Sequence, residues 1–313
     1  MVWSVVGPAR DGCWFVGYFI YTMGMSTTIE PARADRVTLQ TLRRWAARGE
    51  AFAALAAYDA TTARLLDRAG VPVLLAGDSA AQVVLGFERT IDMPFEFAVE
   101  MTAALRRGAS RAMVMADMPF LSYTACERDA IVNAGIFMTR GMADVVKVEV
   151  TAGQAPLVGK MTAAGIPVCA HVGLRPQSAG LDGAYRAAGR TVQAALAVID
   201  DAVAAADAGA VLILIEAVPA IVAEKIIERV SVPVIGIGAG PACHGQILVV
   251  DDLIGLSDAP PRFAEPVESL GPRIQAAGSA WVKAVARRAV GGRGYAMTEG
   301  EAERFEALLA RGG

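Results

Sequence analysis

"VPVLLAGDS", residues 71–79, has a proline at its second position, runs through apolar positions and then breaks into Gly77, Asp78 and Ser79. A strand covered on both faces buries its middle, so its polar residues collect at its ends, where reacting groups also gather. The fold turns on whether other strands end the same way. There are seven further runs, and all but "VPVIGIGAG" carry an ionisable residue in their second half: "FAALAAYD" (52–59), "RAMVMADMPF" (111–120), "DVVKVEV" (144–150), "IPVCAHVGL" (166–174), "AVLILIEAVP" (210–219), "VPVIGIGAG" (232–240) and "QILVVDDLIGL" (246–256). Longer Ala- and charge-rich stretches separate them, which is the pattern of repeated βα units, and eight such units in parallel close a (β/α)8 TIM barrel.

"GVPV", "GIPV" and "SVPV" open the second, fifth and seventh runs, and proline at the first residue of a strand costs no ladder bond. "TTARLLDRAG" (61–70) predicts a helix capped by Thr61 or Thr62 and ended by Gly70, and "RTVQAALAVIDDAVAAADAGA" (190–210) predicts another. "TLQTLRRWAARGE" (38–50) predicts an amphipathic helix that plugs the N-terminal face of the barrel. Beyond the Pro-rich "DAPPRFAEPVESLG", helices are expected over 270–290 and 299–310. The chain therefore divides into an N-terminal extension, 1–36, read as disordered or as a misassigned start with Met25 opening the fold's own lead; the barrel, 37–290; and a C-terminal helical tail, 291–313.

With 54% hydrophobic and 19% charged residues over 313 positions, the composition is that of a packed globular protein. A net charge of −3 without a dense Lys/Arg cluster excludes the electrostatic footprint of nucleic-acid binding and leaves small molecules as partners. Cys13, Cys126, Cys169 and Cys243 show no CxxC spacing, which argues against zinc or a disulfide framework, suits a reducing cytoplasm and suggests buried thiols. "CWFVGYFIYTMGM" (13–25) is too short to span a bilayer, so no membrane role is expected.

Strand ends at the C-terminal face of such a barrel carry the catalytic groups. Asp78 and Ser79 end the second run, Asp117 the third, Lys147 and Glu149 the fourth, His171 the fifth and Glu216 the sixth. Singly, each has an ordinary reading as a helix cap, an ion pair or a core histidine. Five consecutive strands converging on one mouth do not. Carboxylates gathered there repel one another without a cation, and an all-oxygen set favours Mg²⁺. An α-keto acid could chelate such an ion, which would withdraw electrons from its carbonyl and ease loss of a proton from the next carbon. Lys147 then offers a charge for the substrate carboxylate. Glu216, in the apolar "LILIEAVP", is the candidate proton acceptor, since burial raises a carboxyl group's proton affinity. "GIGAGP" (236–241) lacks the GxGxxG spacing of a dinucleotide loop, and its glycines suggest close approach of backbone to ligand.

From about residue 37 to 256 the chain carries "AAYDATTARLLDRAGV", "GDS" followed by "VVLG", "ADMPF.SY", "VKVE", "HVGL.PQS", "GR", "E.VP" and "GIGAGP.C.GQ.LV". In these motifs it resembles the ketopantoate hydroxymethyltransferases. The resemblance implies a TIM barrel that uses Mg²⁺ and 5,10-methylenetetrahydrofolate to hydroxymethylate 3-methyl-2-oxobutanoate in pantothenate synthesis, assembled as a homo-oligomer, a decamer in the family. It also implies Asp78, Asp117 and Glu149 as the metal set, Asp78, Ser79, Asp117, Lys147 and His171 as substrate contacts, and Glu216 as the proton acceptor. The chain departs from the family at "AAQ" from Ala80, where Leu-Gly-Met is usual, and at "VTA" from Val150, where a Gly-Gly pair is usual. It departs again at Arg175, His244 and Asp251, which replace Thr, Asp and His. A paralogue acting on another α-keto acid is the alternative. Phosphoenolpyruvate mutase and isocitrate lyase barrels are a further rival, but their catalytic cysteine loop is not seen. A barrel that has lost turnover is the last, and drift would not spare all five ionisable groups.

Overall fold

The structure, a computed structural model, describes residues 36–178, 180, 186–292 and 294–312; the extension expected over 1–36 lies outside them except for Arg36. Eight parallel strands close into a barrel in sequence order. They are β1 (Phe52–Ala56), β2 (Val73–Ala76), β3 (Met113–Asp117), β4 (Val145–Glu149), β5 (Val168–Gly173), β6 (Leu212–Glu216), β7 (Val234–Ile237) and β8 (Gly245–Val249). β8 returns to β1 with Phe52 opposite Gly245 and Ala56 opposite Val249, so no strand is left with an open edge. Strands β2 to β4 are buried along their whole length. That is why they read as unbroken apolar runs instead of alternating ones.

The helix after β1 spans Ala60–Arg68 and is capped by Asp59, whose carboxylate accepts from the backbone N–H of Thr61 and Thr62 at 2.7 and 2.9 Å. The expected cap at Thr61 or Thr62 is thus corrected by two or three residues to Asp59, and this strand-end acid has a structural role. Thr191 caps the helix Val192–Asp207 as its position before the apolar run suggests. The helix Leu39–Ala47, opened by a Thr38–Thr41 capping box, buries Leu42 fully. Its Trp45 lies 6.3 Å, centroid to centroid, from Phe52 at the N-terminal end of β1, which is the plug expected there.

The eighth run is shorter as a strand than as an apolar stretch. β8 ends at Val249 and the chain turns at once into a four-residue helix, Val250–Leu253. The last two helices, Leu270–Ala286 and Glu301–Leu309, bury no residue. Cys169 and Cys243 are buried free thiols, whereas Cys126 is exposed and accepts from the N–H of Asp129 at a helix start, so the buried reading is corrected for Cys126; Cys13 lies outside the described residues. The glycines of "GIGAGP" also serve packing. A Cβ at Gly236 would lie 2.6 Å from the Cys243 sulfur, one at Gly238 2.6 Å from the Phe263 ring, and one at Gly240 2.6 Å from Ala220. Side chains approach this loop as closely as glycine allows.

Candidate active site

Alternation along β4 points Lys147 and Glu149 to the same face, and the register of neighbouring strands sets their partners. Asp117 of β3 stands beside Lys147, Glu149 beside His171 of β5, and Gly173 beside Glu216 of β6. Gly173 has φ +91°, and a Cβ there would fall 2.5 Å from the Glu216 carbonyl oxygen. Only glycine lets the ends of β5 and β6 approach this closely.

These ends open into one cavity of about 850 Å³ whose lining includes Asp78, Ser79, Asp117, Lys147, His171 and Glu216. Glu149 is buried just behind that lining, 5% exposed. The Lys147 ammonium lies 2.5 Å from Asp117 Oδ1. Burial works against its charge, but Asp117, Asp78 and Glu149 outweigh burial and hold the ammonium protonated. Asp117 Oδ2 accepts the backbone N–H of Asp78 at 3.1 Å. The Ser79 hydroxyl lies 2.9 Å from that of Tyr58.

Burial, reinforced by the neighbouring Asp117, pushes the Asp78 carboxyl up to about 7. Burial and then Asp78 hold Glu149 well above the usual carboxylate range. Glu216 is also pushed up to about 7, by burial against the opposing pull of Lys147. His171, 1% exposed, is driven well below the ordinary imidazole value by burial and by Lys147, so it is neutral. Its ring nitrogens lie 3.6 Å from Glu149 and 3.3 Å from Glu216, in neither case aligned as a hydrogen bond.

Two further residues, inside quoted motifs but given no role from sequence, tie the acids together. The side-chain N–H₂ of Gln177 donates to Asp78 Oδ2 at 2.9 Å and to the Met118 carbonyl at 3.0 Å. Its backbone N–H donates to Glu149 Oε2 at 3.0 Å. Tyr123 donates to Gln177 Oε1 at 2.8 Å and accepts from the N–H of Glu149 at 3.1 Å. The signal in the sequence was a polar pair following strands β3 and β5, but a Gln and a Tyr carry no charge to mark them.

Among the described residues, no three Asp, Glu, His or Cys side chains are drawn up ready to hold a metal ion. Lys147 engages Asp117, and Gln177 engages one oxygen of Asp78. The donor chemistry still fits Mg²⁺. The acids offer only oxygen, they raise one another's proton affinity, and Glu149 Oε1 is buried without any hydrogen-bond partner. Mg²⁺ needs only one or two carboxylates when water and substrate oxygens fill the other positions.

Of the departures from the family pattern, Gln82, the last residue of "AAQ", and Asp251 line the cavity. Ala80 and Val150 are fully buried. Arg175 reaches the Val150 carbonyl at 3.4 Å. His244 Nδ1 accepts the N–H of Val234 at 3.0 Å, away from the mouth.

The family model for ketopantoate hydroxymethyltransferase matches residues 36–291. The 3-methyl-2-oxobutanoate hydroxymethyltransferase of Hyperthermus butylicus is 42% identical over 280 residues, covering 89% of this chain and 97% of that protein. That of Roseiflexus sp. strain RS-1 is 43% identical over 274 residues, covering 87% and 98%. Among solved structures, phosphoenolpyruvate phosphomutase from Streptomyces platensis subsp. rosaceus superposes with a TM-score of 0.56 at 13% identity, covering 88% of this chain and 99% of that one. A phosphonopyruvate hydrolase solved with oxalate and Mg²⁺ gives 0.54 at 17%, covering 88% and 99%. At such identities these two structures speak for the barrel alone.

Proposed function

The chain belongs to the ketopantoate hydroxymethyltransferase family, and from that premise we propose that it transfers a hydroxymethyl group from 5,10-methylenetetrahydrofolate to 3-methyl-2-oxobutanoate, giving 2-dehydropantoate for pantothenate synthesis. The observation that carries this is the ring of ionisable groups at the ends of β2 to β6 around one cavity, with a single fixed cation, Lys147, among four acids.

Asp78, Asp117 and Glu149 would hold Mg²⁺, which supplies electron withdrawal from the keto carbonyl of the bound acid. Lys147 and the Ser79 hydroxyl receive the substrate carboxylate. Neutral His171 stands between Glu149 and Glu216 and adds no charge that would keep Glu216 ionised too strongly to act as a base. Glu216, with a proton affinity near neutrality, takes the proton from C3. Leu75, Leu214 and Ile237 line the same cavity and suit the branched apolar end of this substrate.

A homo-oligomer fits the exposed Ile274, Trp281, Val282 and Val285 on the helix Leu270–Ala286. A cytoplasmic setting fits the free thiols. Among the described residues no helix is long and apolar enough to cross a membrane. A second reading, a paralogue acting on another α-keto acid, is favoured by two departing side chains in the cavity, Gln82 and the additional carboxylate of Asp251.

The test is exchange of the C3 proton of 3-methyl-2-oxobutanoate with deuterated water, in the presence of Mg²⁺ and the absence of folate. Exchange is expected. Exchange only with a different α-keto acid would establish the paralogue, and silence across a panel of such acids would reject both readings.

A further inference from the structure

We infer that Gln177 is the positioning residue of the cation site, holding one oxygen of Asp78 and one of Glu149 so that the other oxygen of each is left to a divalent ion. The inference rests on the reading that Mg²⁺ binds among these acids.

The hydrogen bonds leave Gln177 no freedom. The Tyr123 hydroxyl already accepts the N–H of Glu149 at 3.1 Å, so its single proton must go to an acceptor, and Gln177 Oε1 at 2.8 Å is nearer than the Glu149 carbonyl at 3.3 Å. With Oε1 committed, the N–H₂ group has to face the other way. There it meets two acceptors, Asp78 Oδ2 and the Met118 carbonyl, and both of its protons are used. A flipped amide would set its own oxygen against a carboxylate and a carbonyl. At the same time the backbone N–H of the same residue holds Glu149 Oε2.

One side chain and its own backbone thus clamp acids from two strands, β2 and β4. The consequence is a choice of oxygens. Asp78 presents Oδ1, which receives no hydrogen bond among the described residues, and Glu149 presents Oε1, buried and unpartnered. A residue needed only for packing would have no cause to leave a buried carboxylate oxygen bare, because such an atom is costly to desolvate. Gln177 sits on the tight turn Pro176–Ser178 directly after β5 and is 7% exposed, so its position is fixed by the barrel itself.

The test measures metal affinity in the full chain without substrate, by calorimetry with Mg²⁺ and by the spin-resonance signal of added Mn²⁺. Gln177→Met keeps the length of the side chain and removes its hydrogen bonds. It is expected to weaken Mg²⁺ about 10–100-fold, the usual effect of losing a group that orients a metal ligand. Excess Mg²⁺ should then restore deuterium exchange at C3. Tyr123→Phe should weaken binding several-fold, because it releases both the Gln177 amide and the N–H of Glu149. Unchanged Mg²⁺ affinity in a folded Gln177→Met protein would overturn the assignment while leaving the metal reading intact. Should that variant not fold, unchanged affinity in Tyr123→Phe would overturn it equally. A wild-type protein that binds neither ion would overturn both.

Discussion

Glu216 carries the proton-transfer chemistry on two physical facts: it is buried at the end of β6, and the charged group that most eases its ionisation is Lys147, across the mouth on β4. Burial wins, and its carboxyl sits at about 7. The active form is the carboxylate, so the exchange rate is expected to rise tenfold per pH unit below that value and to level off above it; the free-enzyme profile of kcat/KM reads this directly. Glu216→Gln should cut exchange by roughly 10²–10⁴-fold, the range for losing one general base, while keto-acid binding in the presence of Mg²⁺ survives. A flat pH profile, or loss of binding in place of exchange, would move Glu216 from the reaction to the scaffold. At this scale the sequence was informative where charge met periodicity. Asp78, Asp117, Lys147 and Glu216 stand out because ionisable residues seldom close apolar runs. Gln177 and Tyr123 are neutral, and their importance comes only from what the turn after β5 brings within 3 Å of the acids. Asp59 shows the converse, an acid at a strand end whose carboxylate caps a helix.

Among the elements, the joint between the helix Ala60–Arg68 and β3 illustrates how the barrel holds its strands in register. Asp67 is 6% exposed and its carboxylate accepts three backbone N–H groups, from Ser110, Arg111 and Ala112, at 3.0, 3.0 and 2.7 Å. Burial alone would raise its proton affinity, but these N–H groups and the Ser110 hydroxyl outweigh it and hold the carboxyl below its ordinary value. Asp67→Ala would strand the three donors and is expected to lower stability by roughly 3 kcal/mol, read as a shift of the urea midpoint. The sign of the pH dependence follows. A depressed carboxyl contributes its stability fully above its unfolded value, near 3.9, and loses it as pH falls through the folded one. The gap between wild type and Asp67→Ala should therefore be constant from pH 7 to 5 and shrink below about 4. Strand starts were legible because proline marks them, as at Pro72, Pro167 and Pro233 ahead of β2, β5 and β7. Strand ends were less so. "QILVVDDLIGL" is apolar across both β8 and the short helix after it, and a run too brief to show its period hides the boundary between them.

For the whole molecule, eight repeats of strand and helix are enough to specify closure, since each strand needs a neighbour on both sides and only a ring supplies one to β1 and β8. What repetition cannot specify is where helices without a place on the barrel go, and the wholly unburied helix Leu270–Ala286 is such a case. Closure also has an electrostatic cost. It forces Asp78, Glu149 and Glu216 together in a space that excludes water, and each then has its proton affinity raised by burial, Asp78 further by the charge of Asp117 and Glu149 further by that of Asp78. In the unfolded chain these acids are far apart and solvated, so a cation that binds among them binds the folded state alone. Mg²⁺ should therefore raise the thermal midpoint, by an amount that grows with the logarithm of its concentration and is worth about 2.7 kcal/mol at a hundred times its Kd. Chelation should reverse the shift fully. Calcium, larger and tolerant of more ligands than two or three carboxylates and water supply here, should shift it less at equal concentration. Differential scanning with Mg²⁺, Ca²⁺ and chelator in turn checks this, and a midpoint indifferent to all three would mean that Lys147 alone balances the acids in the folded protein.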